Sequence, residues 1–266
     1  MTELLYKELT GEILGSYYTV YNGLSRTYPE FIHENALVKV IGDKGVHYRR
    51  QPEYQIMYKE RLVGVQQLDI LLVDERVVIE CKVAPRLKGI HKAQLFSYMK
   101  TVGARVGLLL NFGGPEPEFD RLYFDPERQA EYEPGFRSLD ELPEGLLCPE
   151  ATGEVLGGAV EVHRTLGPGF IHRVYANACY QEYRLRGVGA EPRREYQVIF
   201  QGESIGSLKF NHFVIEGTVM HFPLTLRDVN DLNTNNLKDW MRYQGICLGI
   251  LTNFYDTAIH PVFIRT

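Results

Sequence analysis

The chain has 266 residues, 44% of them hydrophobic and 24% charged, with a net charge of −5 at pH 7. This composition suits one large or two ordinary globular domains with a full core and excludes a disordered chain, while the acidic sum argues against avid nonspecific binding to nucleic acid. No apolar run approaches the ~18 residues of a membrane span, and the N-terminus MTELLYKELTGEI carries acids where a secretion signal is basic and then apolar, so the expected location is the cytoplasm, without membrane contact.

In chain order, Leu5, Leu9, Ile13, Tyr17 and Val20 recur at helical spacing, and a second helix is expected around residues 31–41, ending toward Gly42 and Gly45. Strand candidates follow at EYQIMYK, LVGVQQLDILLV and RVVIECKV, with tight turns at 59–61 and 74–75. They predict a three-stranded antiparallel meander. An amphipathic helix over 89–102 and a buried strand VGLLLNF complete the unit as an α/β sandwich. Residues 113–150 are acidic and rich in proline and read as a connector, with one strand at FDRLYF and a short helix near SLDELPE. Charge is unevenly spread: residues 1–112 hold 15 Lys and Arg against 12 Asp and Glu, residues 113–150 hold 3 against 11, and residues 151–266 hold 11 of each. The only basic segment is therefore the first. Four scattered cysteines, Cys81, Cys148, Cys179 and Cys247, lack zinc spacing and disulfide density and read as free thiols.

Sliding the chain against itself by 142 positions aligns residues 10–112 with residues 152–254 without a gap. TGEILG pairs with TGEVLG, Asn35-Ala36 with Asn177-Ala178, Glu53-Tyr54-Gln55 with Glu195-Tyr196-Gln197, and GLLLNF with GILTNF. Two copies of one fold are implied, in residues 1–112 and 151–266. They are free to pair with each other within the chain.

The stretch VVIECKV (77–83) reads as a buried strand with a carboxylate and an ammonium inside it. Val77, Ile79, Cys81 and Val83 share one face, Val78, Glu80 and Lys82 the other. Burying charge is costly, so the pair is a structural ion pair, lies at a solvated edge, or serves a site that needs both signs. The second copy decides between these. Glu80 falls on Phe222, Lys82 on Leu224, Asp69 on Asn211 and Gln94 on Asn236, while hydrophobic and glycine positions persist. An apolar solution exists at those positions, so the charges point to chemistry. Asp69 precedes a turn that folds VVIECKV back beside it. Asp69, Glu80 and the Cys81 carbonyl make a hard oxygen set suited to Mg²⁺ or Mn²⁺. Lys82 would then orient the attacking water or stabilise phosphate charge, and Gln94 and Tyr98, four apart on the following helix, share a face turned to the same place.

Asp, then Glu-x-Lys on the next strand, then Gln-x-x-x-Tyr on a helix resembles the PD-(D/E)XK nuclease superfamily, and over nearly all of each copy the sequence resembles its small bacterial GxxExxY proteins. The resemblance implies two tandem restriction-endonuclease-like domains, each a central mixed sheet flanked by helices. The name motif is split between the copies: Thr27-x-x-Glu30-x-x-His33 in the first and Gly169-x-x-His172-x-x-Tyr175 in the second. By resemblance Glu30 joins the metal site and His172 does not. Leu68 stands where the superfamily's proline precedes Asp69. Arg86, Lys88, His91 and Lys92, with Arg49 and Arg50, are candidate phosphate-binding residues for a nucleic-acid partner, DNA in the first instance; a solvated basic face is the alternative. RTLGPGF (164–170) lacks the GKS/T ending of a phosphate loop and reads as a turn between helices. His163, His212 and His221 lack metal spacing, and Trp240, at Tyr98's place, reads as packing. Two functions follow from this: a Mg²⁺-dependent nuclease with a degenerate second copy, or a noncatalytic nucleic-acid-binding or protein-interaction module that retains the site as a relic.

Overall fold

The computed structural model describes residues 4–125, 147–232 and 234–266; the helix expected near SLDELPE lies outside the described residues, as does the side chain of Asn211. The first repeat builds α1 (Lys7–Gly23), α2 (Glu30–Asp43), β1 (Tyr48–Arg50), β2 (Glu53–Tyr58), β3 (Arg61–Gln67), β4 (Leu71–Val73), β5 (Val77–Lys82), α3 (Gly89–Val102), β6 (Val106–Asn111) and β7 (Glu118–Tyr123). Its sheet runs β1-β4-β5-β6-β7, with β5 and β6 parallel and every other neighbour antiparallel. The parallel pair needs a crossover, which α3 supplies.

The two sheet faces are covered differently. Val77, Ile79 and Cys81 of β5 join Ile13, Tyr17, Leu37 and Ile41 of α1 and α2 in one apolar cluster. Glu80 and Lys82 occupy the opposite face, as strand alternation requires. On β6 a Cβ at Gly107 would lie 2.5 Å from the Met99 sulfur, so the missing side chain is what lets α3 sit against the sheet.

The three-stranded meander needs correction. β2 and β3 form a separate two-stranded hairpin, and only β4, a short segment, pairs with β5 in the sheet. The break has a local cause: Gln51 sits at φ 42 and Pro52 has no N–H to donate, so the ladder stops beside residues 68–70. Both predicted turns are present. Asp74 and Glu75 have φ 50 and 55, both positive as a two-residue hairpin turn demands. The first sheet also runs past residue 112: the strand expected in the connector is β7, its closing edge.

The chain divides into two compact units, residues 1–55 with 65–131, and Ile56–Gly64 with residues 132–266. The second contains α4 (Pro149–Leu166), α5 (His172–Arg186), β8 (Ala190–Phe200), β9 (Glu203–Ile215), β10 (Val219–Leu224), α6 (Thr234–Tyr243), β11 (Leu248–Asn253) and β12 (Val262–Arg265), with strand order β12-β11-β10-β9-β8. Here β9 is continuous where β3 and β4 are split. Glycines 167 and 169, at φ 72 and 113, make the turn expected between α4 and α5. The tip of the β2–β3 hairpin belongs to this unit: Ile56, Tyr58 and Val63 are buried, and the Tyr58 hydroxyl and Lys59 ammonium both donate to Glu182 Oε2, at 2.7 and 2.6 Å.

The repeat is visible bond by bond. Asn111 brackets Ala84, accepting from its N–H at 3.1 Å and donating to its carbonyl at 2.9 Å; Asn253 does the same to Leu226 at 2.9 and 2.7 Å. Tyr21 donates to the Gly114 carbonyl at 2.7 Å, and His163 meets the equivalent Asp256 carbonyl at 2.8 Å. Gly249 repeats Gly107, a Cβ there lying 2.7 Å from the Met241 sulfur. Asn111/Asn253 and Gly107/Gly249, identical in the two repeats, clamp each sheet to a loop and a helix, and His163 keeps Tyr21's bond with a different side chain. All four cysteines are free thiols, and among the described residues no helix is long and apolar enough to cross a membrane.

Candidate active site

β5 carries Glu80 and Lys82 to the open end of the parallel pair, where Phe112 donates its N–H to the Lys82 carbonyl at 2.7 Å and closes the strand. Glu80 Oε1 meets Lys82 Nζ at 2.7 Å, and Glu30 Oε1, at the start of α2, lies 3.9 Å from the same ammonium. The Glu80 side chain is 2% exposed, and its Oε2 is buried with no hydrogen-bond partner. Burial pushes the Glu80 carboxyl up to about 7; Lys82 opposes the rise, and Glu30 and Asp69 add to it. Burial likewise raises Glu30, with Lys82 opposing and Asp69 adding. Burial alone would lower Lys82, but Glu80 and Glu30 outweigh it and hold the ammonium charged.

Asp69 stands at the break between β3 and β4, exposed, with Gln51 Nε2 donating to its Oδ1 at 3.0 Å. Sequence reasoning missed Gln51; its only signal was the Pro52 that follows it. The structure thus brings Glu80, Lys82 and Glu30 into one ion-pair cluster and puts Asp69 within electrostatic range of all three. On α3, Gln94 is half-buried and Tyr98 buried. The Cys81 side chain lies in the α1/α2 core, where burial raises its thiol well above the usual range, leaving only its carbonyl as a donor.

No group of three or more His, Cys, Asp or Glu among the described residues is arranged to hold a metal ion. The donor chemistry nevertheless fits a divalent cation. Three carboxylates repel one another around a single ammonium, and one buried oxygen lacks any partner, a balance that a hard cation would relieve. Asp69, Glu80 and the Cys81 carbonyl are the residues that would hold it.

His33, at the motif's tyrosine position, is buried and stacks on Phe112 at 4.8 Å and 16°, and Tyr175 stacks on Phe254 at 4.6 Å and 17°. The two rings do the same packing job. Burial lowers the His33 pKa and keeps its imidazole neutral. The predicted basic set divides. Arg49 binds Glu75 through two bonds of 2.7 and 2.6 Å, Arg50 meets the buried Glu34 at 2.7 Å, and Lys92 meets Asp120 at 3.0 Å. His91 Nδ1 accepts the Lys88 N–H at 3.2 Å at the start of α3, while the Arg86 and Lys88 side chains are exposed. In the second repeat, His221 sits in a buried chain between the Tyr183 hydroxyl at 2.7 Å and Thr252 at 2.8 Å, and Trp240 packs edge-on against His212 at 5.6 Å.

The Glu80 burial predicts a pH dependence. Its folded pKa lies above the usual 4.5, so folding favours the protonated form. The stability it allows is fully present below 4.5 and is lost as pH rises toward 7, by about 3 kcal/mol at most. The buried neutral histidines His33, His163 and His221 act in the opposite sense. The difference between wild type and Glu80→Gln isolates the carboxyl. In chelator, Glu80→Gln is expected to melt at the wild-type temperature near pH 5 and above it at pH 8. A difference that does not change with pH contradicts the assignment.

A family model described as PD-(D/E)XK nuclease superfamily matches residues 7–122 and, separately, residues 149–266. A search of curated proteins and a search of solved structures each find no match.

Proposed function

Since the chain belongs to the PD-(D/E)XK nuclease superfamily, we propose that its first repeat is a GxxExxY-type nuclease, dependent on Mg²⁺ or Mn²⁺, and that its second is a noncatalytic copy. The substrate is the phosphodiester backbone of nucleic acid, DNA in the first instance. The observation that carries this reading is the Glu80–Lys82–Glu30 cluster, buried at a cost in one repeat and replaced by Phe222, Leu224 and His172 in the other while the sheet clamps persist. A fold that packs well without those charges keeps them for a reaction.

A bound divalent cation supplies charge stabilisation at the phosphate and lowers the pKa of water. Asp69, Glu80 and the Cys81 carbonyl would hold it, with the Glu80 carboxyl in its ionised form. Lys82, held charged beside Glu80, donates to the attacking water or to a nonbridging phosphate oxygen. Glu30 fixes the ammonium from the far side and Gln94 orients substrate from α3. Of the basic set, Arg86 and Lys88 are exposed and would meet flanking phosphates, whereas Arg49, Arg50 and Lys92 already have carboxylate partners.

That pairing favours the second reading, a noncatalytic nucleic-acid-binding or protein-interaction module with a relic site. One experiment separates the two: cleavage of single-stranded, duplex and branched substrates with Mg²⁺ or Mn²⁺, beside calorimetric titration of the ions. Asp69→Asn with Glu80→Ala is expected to abolish both cleavage and ion binding. Wild-type protein that binds nucleic acid but cuts nothing establishes the second reading, and ion binding that survives the double substitution removes the metal site.

A further inference from the structure

Among the described residues, Glu34 and Glu80 are the buried carboxylates of the first repeat, and the reaction proposed above uses only Glu80. The Glu34 side chain is 7% exposed, and Arg50 meets its Oε1 with two nitrogens, Nε at 2.8 Å and Nη2 at 2.7 Å. The second repeat has Ala176 and Pro192 at these two positions. The fold therefore packs without this pair, as it packs without Glu80 and Lys82, and the cost of burying it in the first repeat serves something other than packing.

Glu34 lies one helical turn after Glu30 on the same face of α2, and Arg50 ends β1. Their bonds tie the end of that strand to the helix that carries Glu30. The next residue, Gln51, sits at φ 42, a left-handed conformation that any residue but glycine adopts at a cost. So placed, its N–H donates to the Ile70 carbonyl at 2.8 Å and its Nε2 to Asp69 Oδ1 at 3.0 Å. The Leu68 N–H donates to the Pro52 carbonyl at 3.0 Å, and the Ile70 N–H returns to the Leu68 carbonyl at 2.9 Å, a three-residue turn with Asp69 at its centre. The backbone on either side of Asp69 is thus bonded to residues 51 and 52, and its carboxylate is held by Gln51.

We propose that Glu34, Arg50 and Gln51 are positioning residues for the metal site: the Arg50–Glu34 pair fixes the end of β1 on α2, and Gln51 from that fixed point aims Asp69. This rests on the metal-dependent reading of the first repeat. Asp69 is exposed, and a carboxylate in water samples several rotamers. An amide bonded to one of its oxygens removes that freedom before an ion arrives, which is how partners of metal ligands raise affinity. The second repeat changes every member together: Glu34, Arg50, Gln51 and Asp69 correspond to Ala176, Pro192, Arg193 and Asn211. Arg193 bonds Glu191 at 2.6 Å instead, and β8 and β9 pair on through this stretch, with Pro192 opposite Phe213 and Arg193 opposite His212. Where no carboxylate has to be aimed, the strand break is absent. The neighbouring Arg49–Glu75 pair is also missing there, as Glu191 and Gly217, but both of its members are exposed, and such pairs contribute little.

Calorimetric titration of Mn²⁺ into the metal-stripped full chain tests this without nucleic acid, beside melting in chelator. Gln51→Gly removes the amide and relieves the positive φ. It is expected to melt near the wild-type temperature and to bind Mn²⁺ about ten-fold more weakly or worse, the scale for losing a partner of a metal ligand. Arg50→Ala leaves Glu34 buried and unpaired and is expected to lower the melting temperature. Adding Glu34→Ala is expected to restore the melting temperature but not the ion affinity. Mn²⁺ binding as tight as wild type in Gln51→Gly or in the Glu34→Ala, Arg50→Ala double variant overturns the clamp and leaves the metal site standing. Loss of affinity only in step with loss of melting temperature makes these residues structural and overturns it as well. Wild type that binds no Mn²⁺ overturns the clamp together with the metal-dependent reading.

Discussion

Lys82→Ala is expected to lower cleavage by about 10²-fold or more at saturating metal, the scale for removing a positioned acid–base or charge-stabilising group. The ammonium touches Glu80 at 2.7 Å and lies 3.9 Å from Glu30, so its removal also acts on those carboxyls. Without it, Glu80 keeps the burial that raises its pKa and loses the charge that opposes the rise. The carboxyl then stays protonated to a higher pH, and metal must compete harder for it. Saturating Mg²⁺ at pH 8 removes this competition from the measurement. What remains is the effect on the chemical step. Melting temperature at pH 5, where Glu80 is neutral in both proteins, is the control for folding and is expected to change little. Parallel losses of activity and of melting temperature at pH 5 would make Lys82 a structural residue and remove its part in the reaction.

The constellation was legible because its residues lie on regular elements whose periodicity can be read. Glu80 and Lys82 alternate on one strand, α3 runs over the expected residues 89–102, and the internal repeat shows which positions the fold can fill with Phe and Leu. The placement of Asp69 was less legible. It depends on a strand break made by the positive φ of Gln51 and the missing N–H of Pro52, and the alternation across LVGVQQLDILLV gives no sign of an interruption. The basic residues show a different limit. Arg50 is bound by Glu34 and Lys92 by Asp120, partners 16 and 28 positions away. Only the fold brings them together, so a run of positive charge in sequence overstates what is free to meet phosphate. The docking of the β2–β3 hairpin tip on α5 was hidden for the same reason. Tyr58 and Lys59 look like an ordinary exposed turn until Glu182 closes on them.

The second repeat offers the converse experiment. Phe222 is fully buried on β10 and packs with Leu224, Leu237 and Met241, where the first repeat has Glu80, Lys82, Leu95 and Met99. Phe222→Glu puts a carboxylate into that apolar cluster and is expected to destabilise the fold by about 4 kcal/mol or more at pH 8, from lost packing and from burial of an unpaired charge. Leu224→Lys, nearer the surface at 8% exposed, is expected to cost about 2–4 kcal/mol. Strand alternation puts the two on one face two residues apart, the spacing at which Lys82 meets Glu80 at 2.7 Å. The double variant is therefore expected to be less destabilised than the sum of the singles, with a coupling of about 1–3 kcal/mol in a double-mutant cycle read by denaturant unfolding. It should nonetheless remain less stable than wild type, because desolvating two charges outweighs their attraction when Phe and Leu already fill the space. A double variant as stable as wild type would mean that this face accepts an ion pair without penalty. The retention of Glu80 and Lys82 in the first repeat would then need no reaction to explain it.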